Sequence, residues 1–229
     1  MKKIAILQSN YIPWKGYFDL IAAVDEFIIY DDVQFTKNDW RNRNMIKTPR
    51  GAEWLSIPVG RDIKRRIRDV AVPQAKWQTE HWRSIEANYC KSQHFDEIRV
   101  WLEPLYLGEH HSNLSSLNRK FIESVCRYLG IKTVISNSWD YNLTEGKTER
   151  LVSLCAQSSA QEYISGPSAK NYIEEKMFTE RGIKLTWFDY CNYPTYPQLW
   201  GEFIHNVTIL DLLFNCGSKS IRYMRYVNP

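Results

Sequence analysis

Two adjacent carboxylates, Asp31 and Asp32, stand a few residues ahead of a cationic and aromatic cluster, "KNDWRNRN" at 37–44. Carboxylates at a strand end can hold a metal ion or a ribose hydroxyl, take a proton from an amine nucleophile, or cap a turn. Neighbours on a strand point to opposite sides. One of the two is therefore expected to face a site, and a shared-proton pair is not expected. The guanidinium forks of Arg41 and Arg43, with Lys37, suit phosphate. Arg41 and Arg43 share a face if the segment is extended; Lys37, Arg41 and Asn44 share one if it is helical. Trp40 and Asn42 interleave with these charges in a way that solubility does not require.

A second group surrounds the first turn, "LQSNYIPWKGY" at 7–17. In open α/β sheets ligands bind beyond the carboxyl ends of strands. The helix that follows offers free N–H groups and a positive dipole end. Gln8, Tyr11, Trp14, Lys15 and Gly16 occupy that place. Gly16 is expected to let the backbone approach a ligand, and Lys15 to add charge. The turn is neither G-x-G-x-x-G nor a P-loop. It resembles the H-x-G-H turn of the nucleotidyltransferase-like group, with "WKGY" in its place and both histidines absent. His81, in "WQTEHW", is a general acid/base candidate because its unperturbed pKa lies near neutrality. Ser165 and Gly166, in "YISGPSAKNY", suggest a second anion or substrate cradle, with Lys170 and Tyr172 nearby. His110 and His111 lack the spacing of a metal site, and no G-x-S-x-G elbow occurs.

These residues need a sheet to position them. "KIAIL" reads as a strand, Gly16–Val24 as a helix and "EFIIYDD" as a second strand, together a βαβ unit with parallel pairing. "EWLSIPV" at 53–59 and "IRDVAV" at 67–72 read as further strands. From Trp77 to about Leu129 three helical patterns follow, the last stopped by Gly130. Beyond them come a strand in "KTVISNS", a helix in "TERLVSLCAQSSA" and a strand in "EYISG". A helix in "AKNYIEEKMF", a strand in "IKLTWFDY" and a helix in "NVTILDLLFNCG" complete the chain. The expected class is α/β: a mostly parallel sheet with flanking helices and a helical insert in the middle of the chain. One compact domain is expected over 1–229, with an α/β opening unit at 1–75, the insert at 76–130 and a second α/β part at 131–229.

Composition narrows the function. The 229 residues are 44% hydrophobic and 24% charged, as in a globular protein. A net charge of +4 suits an anionic small molecule and falls short of a nucleic-acid binder. Nine Trp and fourteen Tyr suit contacts with sugars, bases or carriers. Five cysteines without a C-x-x-C pair read as buried free thiols rather than a disulfide frame or zinc site. No segment reaches the roughly 20 apolar residues of a membrane span. The apolar run after Met1–Lys3 is too short for a signal peptide, so a cytoplasmic protein is expected. Oligomeric state is left open.

The stretches "QSNYIPWKGYFDLI", "DEFIIYDDVQFTKNDWRNRN", "EWLSIPV", "TERLVSLC", "EYISGPSAKNY" and "VTILDLLFNCG" resemble the WbqC-like family of bacterial proteins. The likeness runs from residue 4 to about 217. The matching polar positions are Gln8, Tyr11, Trp14, Gly16, Tyr17, Asp31, Asp32, Gln34, Lys37, Trp40, Arg43, Asn44, His81, Ser165, Gly166 and Asn215. Where the family pattern has glycine after Pro167, this chain has Ser168. The resemblance implies work on bacterial surface polysaccharides such as O-antigen. The implied activity is a transferase moving an acyl or aminoacyl group to a nucleotide-activated amino sugar. Its donor would be an acyl-CoA or an acyl carrier. His81, or one of Asp31 and Asp32, would take the proton from the attacking amine, with no resident metal. Two alternatives are a nucleotidyl transferase or ligase using ATP or CTP with magnesium on Asp31 or Asp32, and a non-catalytic sugar- or nucleotide-binding partner.

Overall fold

The computed structural model describes residues 1–73, 76–108 and 110–227. The expected boundary at 75/76 therefore abuts residues outside the described set. The chain opens with strand β1 (Lys3–Leu7), helix α1 (Lys15–Ala22) and strand β2 (Glu26–Ile29), as the apolar periodicity dictates. A hairpin follows, β3 (Arg43–Thr48) with β4 (Gly51–Ser56). Helices α2 (Trp77–Tyr89), α3 (Phe95–Leu107) and α4 (Leu114–Leu129) form the insert. Gly130 ends α4 in the left-handed conformation, φ 73°. The rest is β5 (Val134–Asn137), α5 (Lys147–Gln157), β6 (Glu162–Ser165), α6 (Glu175–Thr179), β7 (Lys184–Trp187) and α7 (Ile209–Cys216).

Five strands make one sheet, in the order β5-β2-β1-β6-β7, all parallel. The fold class is α/β. Alternate residues serve opposite faces. Ala5, Phe27, Ile29 and Ile164 join α1, the insert and α7 in one core. Ile4, Ile6, Ile28 and Tyr163 join α5 in the other. The central strands are buried on both faces, which is why they read as unbroken apolar runs.

Four expectations are corrected. The strand in "EWLSIPV" exists as β4, but it pairs antiparallel with β3 and lies outside the main sheet. β3 begins at Arg43, inside the segment whose conformation the sequence left open. "IRDVAV" is a 3-10 turn at Ile67–Asp69, not a strand. "AKNYIEEKMF" is broken into a 3-10 turn at Pro167–Asn171 and the short α6. Pro167, Ser168, Lys170 and Asn171 leave too little apolar surface there to hold one continuous helix on the sheet. Of the five cysteines expected to be buried, Cys90 and Cys191 prove to be exposed.

Candidate functional site

Strand order reverses at β1, where the chain runs outward through β2 to β5 on one side and through β6 to β7 on the other. Loops leaving adjacent strands at such a point diverge and open a crevice. Here it is a cavity of about 790 Å³. Leu7 and Gln8 reach it from the end of β1, Tyr30 and Val33 from beyond β2, and Ser165, Gly166 and Pro167 from the end of β6. The start of α5 contributes Gly146, Lys147 and Arg150, and Arg41, Tyr172 and Tyr190 complete the wall.

Its charge is one-sided. Arg41, Lys147 and Arg150 line it, and among the described residues no carboxylate or imidazole does. Lys147 and Arg150 sit in the first turn of α5, where the helix dipole opposes cations. They weaken the helix there, so their placement answers to something other than helix stability. Arg150 Nε donates to the Thr144 carbonyl at 2.8 Å, and its guanidinium also meets the Tyr30 hydroxyl. Gly146 caps α5 at φ +87°, a conformation side chains resist, so glycine is required at this wall.

Arg41 is held by the first turn. Its Nη2 donates to Gln8 Oε1 at 3.1 Å and its Nη1 donates to Asn10 Oδ1. Helix α4 fixes its backbone: Asn118 Nδ2 donates to the Arg41 carbonyl at 2.9 Å and to Ser9 Oγ at 3.0 Å. Tyr17 donates its hydroxyl to the Gln8 carbonyl. The side chain of Arg41 is thus 14% exposed and aimed at the end of β1.

Gln8, Arg41, Ser165 and Gly166 are brought together in the cavity. Trp14, Trp40 and Asn44 lie next to it, around a smaller recess. The other candidates go elsewhere. Asp31 is fully buried, accepting from the Ser9 N–H at 2.8 Å and from the Ser115 hydroxyl. Burial raises its pKa, and those donors oppose the rise. Asp32 points the other way, as neighbouring residues beyond a strand do, to Arg68 at 2.8 Å, Arg66 at 3.6 Å and the Ser138 hydroxyl at 2.7 Å. Neither carboxylate lines the cavity.

His81 is buried in the insert, its Nδ1 2.9 Å from the Tyr11 hydroxyl, which lies 2.6 Å from that of Tyr106. Burial lowers its pKa to about 4, against a hydrogen bond to the Ser56 backbone. It is neutral at pH 7 and faces the core. Lys15 is also buried. Its ammonium donates to the Pro194 carbonyl at 2.8 Å over the rings of Tyr193 and Tyr196, and burial lowers its pKa to about 8. Gly16 does not open the backbone to a ligand: a Cβ there would lie 2.4 Å from the Trp14 indole, which fills that space. Arg43 stacks 4.1 Å over Trp54 on the hairpin. Gln34 and Lys37 are exposed and do not line the cavity.

Residues 8–223 match the WbqC-like protein family. The chain belongs to that family. It is also 57% identical over 229 residues to the uncharacterized protein Rv1507c of Mycobacterium tuberculosis, covering 99% of each chain. No solved structure matches. Within this WbqC-like chain the cavity uses residues that the motif reading passed over: Tyr30, Lys147, Arg150 and Tyr190. A signal for two of them was present in "GKTER". There glycine precedes two cations, Lys147 and Arg150, in the first turn of a helix, where the dipole favours the acid Glu149 between them. Tyr30 and Tyr190 carried none, since their exposure depends on where two loops meet. Among the described residues no helix is long and apolar enough to cross a membrane.

Proposed function

We propose that this WbqC-like protein is a transferase acting on a nucleotide-activated amino sugar, whose diphosphate lies in the switch-point cavity between Arg41, Lys147 and Arg150. One observation carries the reading: a cavity of about 790 Å³ at the carboxyl edge of a parallel sheet, walled by cations and tyrosines with no carboxylate among its described lining residues. Guanidinium forks pair with phosphate oxygens. Tyr30, Tyr172 and Tyr190 offer ring faces to a base.

The transferred group is an acyl or aminoacyl unit from a thioester of CoA or an acyl carrier. The sugar's free amine attacks the thioester carbonyl, the C–N bond forms, the C–S bond breaks, and the amine proton leaves with the thiolate. Such a step gains chiefly from holding two reactants in register, so a cavity with no carboxylate or imidazole among its described lining residues is compatible with it. Asp31 and Asp32 act as supports, because both carboxylates are engaged by protein donors. That engagement disfavours a magnesium-dependent nucleotidyl transfer on them.

Titration calorimetry with uridine, cytidine and guanosine diphosphates and their sugar conjugates tests the site. Binding is expected for at least one nucleotide, weakening as salt rises. Loss of one phosphate contact in Arg150→Ala or Lys147→Ala should weaken it by about tenfold or more. No binding by any of these nucleotides, or binding indifferent to both substitutions, overturns the assignment. Mass spectrometry of a bound nucleotide amino sugar incubated with acyl-CoA thioesters then tests the transfer.

A further inference from the structure

On the other side of Arg41 from the cavity lies a recess of about 170 Å³, lined by Asn10, Pro13, Trp14, Trp40, Asn44 and Asn206. Two indoles and three amides meet there, with no charged side chain among the described lining residues. The turn that forms its floor is strained. Ile12 adopts φ 42°, in the left-handed region that β-branched residues avoid. Asn44 holds it there: Nδ2 donates to the carbonyls of Tyr11 and Ile12 at 3.0 and 2.6 Å, and Oδ1 accepts the Met45 N–H at 2.8 Å. The Tyr11 N–H donates to the Trp40 carbonyl at 2.9 Å, and the Ile209 N–H to the Pro13 carbonyl at 2.9 Å. The walls of the recess are thus tied to one turn. Backbone strain that the surroundings maintain clusters at ligand sites.

We propose that this recess binds one hydroxylated six-membered ring, the sugar end of the activated ligand, with its phosphates at Arg41 and its nucleoside in the cavity. The orientation rests on the nucleotide reading of the cavity; the ring preference rests on the recess alone. Size sets the first limit. A protein cavity of about 150 Å³ holds a benzene ring, so this recess takes one such ring and excludes a fused base pair of rings. Chemistry sets the second. Indole faces cover the C–H side of a sugar ring, and primary amides both donate to and accept from hydroxyls. Arg41 connects the compartments, donating to Gln8 on the cavity side and to Asn10 on the recess side. A ligand spanning both would cross that guanidinium at its most anionic part.

Saturation-transfer NMR with N-acetylglucosamine and, separately, uridine provides the test, on the full-length protein and its Trp40→Ala and Arg150→Ala variants. Trp40 is 39% exposed, so its removal leaves the cores intact. The sugar signal is expected in the parent and in Arg150→Ala and is expected to vanish in Trp40→Ala. Calorimetry should show uridine diphosphate N-acetylglucosamine losing about tenfold in affinity in Trp40→Ala while uridine diphosphate is unchanged. If uridine and its diphosphate bind nowhere but the sugar signal still depends on Trp40, the ring assignment stands and the nucleotide reading fails. A parent protein without a sugar signal, a sugar signal indifferent to Trp40, or a uridine signal lost with Trp40 overturns the assignment.

Discussion

The rim of the sheet and the interior beneath it contain the same kinds of residue in opposite circumstances. In the interior, Asp31, His81, Tyr11 and Tyr106 are buried among fixed protein partners. At the rim, Arg41, Lys147 and Arg150 converge on open space with no anion among the described lining residues. A buried polar group without a partner costs about 1–3 kcal/mol, and Asp31, His81, Tyr11 and Tyr106 each have one inside the protein. At the rim, Arg41 is held by Gln8, Asn10 and, at 4.0 Å, Asp39, whereas Lys147 and Arg150 stand in the first turn of α5, where the helix dipole opposes them. Chemical reactivity of a residue type is therefore a weak guide to function. Hydrogen-bonding capacity that folding leaves open is a stronger one.

The largest expected effect is at Asp31. Alanine there strands the Ser9 N–H and the Ser115 hydroxyl in the core and should cost about 4 kcal/mol in a guanidinium unfolding curve. Asparagine keeps an acceptor and should cost far less, with ligand affinity preserved. Lost affinity in a fully folded Asp31→Asn protein would break the division between interior and rim.

His81 predicts a pH dependence. Its folded pKa, about 4, lies below the ordinary 6.5. The unfolded chain therefore takes up the proton first. Stability is whole above pH 6.5 and falls as the pH drops toward 4, by roughly 3 kcal/mol. His81→Gln should flatten that window in denaturant midpoints measured across it. A general base in use would instead move the pH profile of turnover, with the stability profile unchanged.

Tyr11→Phe removes the hydroxyl between His81 and Tyr106 and should cost about 1–2 kcal/mol without changing ligand affinity. At the small end, Lys147→Ala and Arg150→Ala should shift stability by less than about 0.5 kcal/mol. Stabilisation of α5 by Lys147→Ala, seen as a raised melting temperature, would sharpen the contrast, since the dipole argument requires that sign.

Much of the fold was legible in the residues. The runs "KIAIL" and "EFIIYDD" read as buried parallel strands because both faces of β1 and β2 are covered. The insert helices read from their apolar period, and Gly130 from its place after it. Elements with little apolar surface were not legible: the 3-10 turns at Ile67–Asp69 and Pro167–Asn171, and the hairpin strand β3. Their conformation comes from tertiary hydrogen bonds, such as Ile57 N–H to the Asn42 carbonyl at 2.8 Å. At the site, Gln8, Ser165 and Gly166 were legible because they follow strands in the sequence, and Arg41 because it stands in a cationic and aromatic cluster. Asp31, Lys15 and His81 looked equally reactive, and their burial was invisible.

By itself the sequence determined the α/β class and the strand ends from which a site must be built, because hydrophobic periodicity is local. The direction each polar side chain takes was decided by tertiary structure. Asp31 and Asp32 are adjacent in the chain, yet one faces α4 and the other Arg68. Arg41 and Arg150 are far apart in sequence and share a cavity because β1 and β6 pair side by side. Which of these groups is satisfied and which is left open is a property of the packed whole, since a hydrogen-bond partner is fixed by position in space.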